Sequence, residues 1–76
     1  MKERKYRMVE GYDVKEDASY YLIEQKVLFG WHPLSHDGYL ANAFNPVKKY
    51  PSKDCAIYFV KRFKHRDAFK PEIIEL

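Results

Sequence analysis

The stretch from Tyr20 to Trp31 constrains this chain more than any other. Its odd positions read Tyr21, Ile23, Gln25, Val27, Phe29 and Trp31, and its even positions read Tyr20, Leu22, Glu24, Lys26, Leu28 and Gly30. β-Branched and aromatic residues dominate, and the odd face is almost wholly apolar. A helix would scatter these side chains around its circumference, whereas a strand sorts them onto two faces. The pattern predicts one long strand over residues 20–31.

Tyr6 to Val14 alternates in the same way, with Tyr6, Met8, Tyr12 and Val14 on one side and Gly11 placed for a bulge. Lys15 to Ser19 is polar and contains the turn formers Asp17 and Ser19. These two strands therefore pair as a hairpin. Pro33 lacks a backbone donor and ends the long strand. Asp37-Gly38 is a turn signal, and Tyr39 to Phe44 is read as a third short strand.

The helical signal comes later. Ser52 suits an N-cap, Asp54 follows in the first turn, and Ala56, Phe59, Val60 and Phe63 recur at i, i+3, i+4 and i+7. A helix from about Lys53 to Arg66 follows. Tyr58, Lys61, Arg62 and His65 lie on its other side, and its end is basic. Pro71 blocks further helix, and Glu72 to Leu76 reads as a short C-terminal strand through Ile73, Ile74 and Leu76.

The fold class is thus α+β. A small twisted antiparallel β-sheet, made of the hairpin, a third strand and the C-terminal strand, carries one α-helix packed on one face. Ala56, Phe59, Val60 and Phe63 are expected against Tyr21, Ile23, Val27 and Phe29. At 76 residues the chain reads as a single domain over residues 1–76, since two halves would each be too small to bury a core.

Composition excludes several classes. An apolar share of 46% is too high for disorder, and the charges are too mixed for a single-sign tail. One cysteine, Cys55, forbids an intrachain disulfide and points to a reducing, cytoplasmic setting. Seven Tyr, five Phe and one Trp supply the burial that disulfides supply elsewhere. No signal-peptide pattern opens the sequence, and no apolar run is long enough for a membrane span.

Motifs for chemistry are sparse. His32 and His36 stand four apart beside Asp37, but Pro33 and Gly38 oppose a helix there, so they read as loop histidines, not metal ligands. Cys55 sits early in the helix, where the dipole would favour a thiolate. It has no glycine-rich or oxyanion motif around it and reads as a packing residue. No phosphate loop, dinucleotide fingerprint or nucleophile elbow is present. The chain is read as a non-enzyme that needs no cofactor or metal.

Two surfaces remain. Tyr20, Leu22 and Leu28, with Trp31 as an anchor at the strand end, form an apolar patch beside Glu24 and Lys26, suited to another protein or a second copy of the chain. The charge pattern offers the alternative. Residues 8–47 carry a net −4 and residues 48–70 a net +6. Lys48, Lys49, Lys61, Arg62 and Arg66, interleaved with Tyr50 and Tyr58, would meet the phosphates of a nucleic acid. The leading expectation is a small protein-binding module. Its size and its mixture of Lys, Tyr and Phe resemble many phage or mobile-element accessory or inhibitor proteins, a likeness of composition alone.

Overall fold

The computed structural model describes residues 4–76; the start of the chain, with Lys2, lies outside them. Strand β1 spans Tyr6–Asp13, β2 spans Ala18–Val27, β3 spans Gly30–Pro33, and helix α1 spans Lys53–Ala68. The three strands form one antiparallel sheet in the order β1-β2-β3. The α+β class therefore holds, with the helix lying on one face of the sheet.

The first hairpin follows the sequence signal. Asp13 Oδ1 accepts from the backbone N–H groups of Lys15 and Glu16, which closes the turn. Asp17 adopts φ +50°, a left-handed conformation that Asp tolerates better than most residues.

The long strand expected over residues 20–31 is broken. The chain reverses at Leu28-Phe29, so that Val27 pairs with Gly30 and Lys26 with Trp31. Gly30 has φ +142°, a conformation that favours glycine and that a continuous strand would not use. Leu28 and Phe29 stand at the tip of this second hairpin, 85% and 95% exposed. Phe29 is therefore not a core residue.

The third strand is Gly30–Pro33, not Tyr39–Phe44. Residues 39–44 instead make single contacts. Leu40 bridges to Leu34, and the Asn42 side chain accepts from the backbone N–H groups of Phe44 and Asn45 to hold a turn. Beyond β3, Leu34 N–H donates to Ile23 O, and Tyr50 exchanges two backbone hydrogen bonds with Tyr21 at 2.8 and 2.9 Å. The sheet edge vacated by β3 is thus completed by one residue, Tyr50.

Helix α1 starts where its cap predicts, with Ser52 Oγ accepting from Cys55 N–H at 3.1 Å. Its apolar face meets the sheet. Ile23, Leu34, Tyr50, Ala56 and Phe63 are buried, and Tyr6, Tyr21, Cys55, Phe59 and Val60 pack around them. Phe59 stacks near Tyr50 with ring centroids 5.3 Å apart. Tyr21 and Ile23 pack on the helix as expected.

Two polar clusters fix the helix end. Asp67 accepts from Arg4, Arg66 and the Tyr6 hydroxyl, joining α1 to the start of β1. Arg66 also donates to the carbonyls of Asp37 and Gly38. Gly38 has φ +81°, and a Cβ there would fall 2.5 Å from the Phe63 ring. The expected C-terminal strand is absent: residues 69–76 form no helix or strand, and Ile73 is 91% exposed.

Candidate functional site on the open sheet face

Register decides which side chains share the face away from the helix. Arg7 pairs with Glu24, Val9 with Leu22, and Gly11 with Tyr20. Directly opposed residues of an antiparallel pair point to the same side. Tyr21 and Ile23 contact the helix, so Arg7, Val9, Tyr20, Leu22, Glu24 and Lys26 lie on the opposite face. The pairing of Lys26 with Trp31 brings the tryptophan there as well.

Three of the four residues expected in a partner patch therefore meet: Tyr20, Leu22 and Trp31. The fourth, Leu28, does not; the hairpin turn carries it off the sheet to the tip. The same turn is what puts Trp31 on this face. In an unbroken strand its odd position would have sent it to the helix side.

The face is built around its aromatic rings. Tyr20 lies across Gly11 so closely that a Cβ at residue 11 would fall 2.4 Å from the ring. Glycine is needed there for close approach, which is the reason for its place in the strand. Lys49 Nζ stands 4.6 Å from the Tyr20 ring centre. The Arg7 guanidinium stands 4.5 Å from the Trp31 ring, and Lys26 Nζ is 5.7 Å from it. Arg7 also makes a 2.6 Å ion pair with Glu24. The result is an aliphatic centre at Val9 and Leu22, an aromatic residue at each end, and a cation against each ring. Such cation–ring contacts hold the rings in place and leave positive charge at the rim.

Arg7 and Val9 were missed as members of this surface, and Lys26, expected beside it, was not expected against the Trp31 ring. Only the pairing register between β1 and β2 and the turn after Val27 reveal them.

The basic residues of the alternative site are divided. Lys49 belongs to the sheet face, and Lys48 Nζ lies 6.0 Å from the ring of Tyr50. Arg66 is engaged by two carbonyls and Asp67, with its guanidinium 4.6 Å from the Tyr39 ring. Lys61 and Arg62 stay on the exposed side of α1, where Arg62 donates to the Tyr58 hydroxyl. A shallow groove there is lined by Tyr58, Lys61, Arg62, His65 and Arg66.

His32 Nε2 lies 2.9 Å from the Ala41 carbonyl, a bond that ties β3 to the following loop. Among the described residues no three His, Cys, Asp or Glu side chains converge as metal ligands would. A denser polar cluster surrounds Ser35, which is buried. Its hydroxyl donates to Asp37, and Asn45 Nδ2 donates to Ser35 Oγ and to both Asp37 oxygens. The Ser35 hydrogen bond is the chief reason the Asp37 carboxyl titrates below its ordinary range, and Asn45 adds to it. This cluster fastens the 35–45 loop.

No protein family, no curated protein and no solved structure matches this chain. The functional reading therefore rests on its own residues. Among the described residues, no helix is long and apolar enough to cross a membrane.

Proposed function

We propose that this chain is a non-enzymatic binding module whose open sheet face docks another protein. The observation that carries the reading is the grouping of Tyr20, Leu22 and Trp31, with Val9, on the face that the helix leaves uncovered. An apolar centre with aromatic ends and a polar rim is the anatomy of a protein interface. Arg7, Lys26 and Lys49 stand around it, so the complementary surface is apolar at its centre and acidic at its edge. The cations already occupy positions over the rings. A stacking nucleobase would have to displace them, and for that reason a protein fits this face better than a nucleic acid.

The test is retention of partners by the immobilised full chain from its native cell. Tyr20→Ala with Leu22→Ala removes the centre of the patch. If that variant keeps a native circular-dichroism spectrum, it should lose the partner that the unaltered chain retains. Equal retention by both would overturn the reading.

The groove on the outer side of α1 favours a second reading, in which Lys61 and Arg62 contact nucleic-acid phosphates beside Tyr58. Binding of that kind weakens steeply as salt rises. A mobility-shift titration at low salt that shows no complex with DNA or RNA removes it.

A further inference from the structure

The segment after the helix presents a conflict between sequence and structure. Glu72 to Leu76 has strand composition, yet it forms no strand, and Ile73 and Ile74 are 91% and 74% exposed. Residues 71–76 are all exposed. The radius of gyration is 14.6 Å and the longest extent 54 Å, against about 11 Å for a compact chain of this length. Exposed isoleucines on an extended segment are a docking element without its seat.

A seat of matching character exists on the same molecule. β1 is an outer strand of the sheet, so its far edge carries unpaired backbone groups among the described residues. Between that strand and α1 runs an apolar groove floored by Met8, Ile57 and Val60 and rimmed by Arg7, Lys61 and Lys64. The segment is apolar with two acids, Glu72 and Glu75, while the groove is apolar with Lys61 and Lys64 on its helix side. The two surfaces are complementary in both respects.

We propose that residues 72–76 of one copy add as a strand to the free edge of β1 in a second copy, making a homodimer. Alternation then sets the contacts. Glu72, Ile74 and Leu76 face the groove, where the two apolar side chains cover Met8, Ile57 and Val60 and Glu72 meets Lys61 or Lys64. Ile73 and Glu75 face the other side, next to Arg7. A five-residue strand spans about 16 Å, enough to pair with more than half of β1. The same exchange in both directions closes the dimer and covers most of the free edge of β1 in each copy.

Sedimentation velocity over a concentration series of the full chain tests this. A dimer should form, and Ile74→Asp with Leu76→Asp should raise its dissociation constant by about a hundredfold, as expected from removing the two apolar side chains that enter the groove. Both positions are exposed in the monomer, so folding is not at risk. Lys61→Glu with Lys64→Glu should weaken the dimer as well, and adding Glu72→Lys to that variant should restore it. Tyr20→Ala with Leu22→Ala should leave the dimer unchanged, which separates this interface from the open sheet face. A chain that stays monomeric throughout, including one that folds the segment back on its own β1, overturns the proposal. A dimer indifferent to the Ile74 and Leu76 substitutions also overturns it.

Discussion

Individual residues explain why the loop between β3 and α1 holds a single shape. Gly38 combines φ +81° with contact against the Phe63 ring, so any side chain there meets both backbone strain and a buried neighbour. Left-handed backbone costs a non-glycine residue about 1–2 kcal/mol before the contact is counted. Gly38→Ala should therefore lower the melting temperature by roughly 10 °C in a domain of this size, read by thermal circular dichroism. Tyr50 behaves differently. Its ring is buried in the core, while its hydroxyl has no hydrogen-bond partner among the described residues, an uncompensated desolvation. Tyr50→Phe should leave stability unchanged or raise it by about 1 kcal/mol, measured by urea unfolding. Burial also pushes the Tyr50 hydroxyl up to about 12 from an ordinary 10, with Cys55 adding to the shift. The folded state then favours the protonated phenol. Its contribution is complete below about pH 10 and is lost as pH rises toward 12. The Phe variant should accordingly show a flatter alkaline limb than the native chain.

At the scale of elements, much was legible in the sequence where a local rule acts alone. The helix begins at Lys53 because Ser52 caps it, and its buried face is the one set by Ala56, Phe59, Val60 and Phe63. Ser52→Ala should cost about 1 kcal/mol, visible as a lower urea midpoint at unchanged slope. The β1–β2 hairpin was readable for the same reason, since Asp17 carries turn chemistry, while the closing role of Asp13 appears only in its bonds to Lys15 and Glu16. The second hairpin was hidden. Leu28 and Phe29 continue the alternation of β2 and lack the residues that usually mark a turn. The breaking signal is Gly30, just past the turn, where its φ is special but its place in the pattern is not. This one turn changed the candidate site more than any other element. It removed Leu28, supplied Trp31 and added Lys26 as a neighbour of that ring. Residues 39–44 misled in the opposite way. Their composition allows a strand, but the Asn42 turn and the Ser35–Asp37–Asn45 bonds compete for the same backbone.

At the scale of the molecule, a thin core and two uncovered surfaces belong together. Three strands and one helix bury few large side chains, and the sheet keeps a full face outside the core. That face cannot be wholly polar, because Tyr20, Leu22 and Trp31 also brace the strands through cross-strand and cation–ring contacts. The net charge, acidic over residues 8–47 and basic over residues 48–70, does not map onto two separate faces. Arg66 is spent within the fold, Lys49 joins the open sheet face, and Lys61 and Arg62 remain on the helix. We propose that the open sheet face is where a partner protein binds. Amide and indole chemical-shift mapping tests it directly, using the isotope-labelled full chain and the protein it captures from its native cell. Binding should shift Val9, Tyr20, Leu22, Lys26 and the Trp31 indole while leaving Lys61 and Arg62 in place. Shifts confined to the outer side of the helix, with the Trp31 indole unmoved, would contradict it.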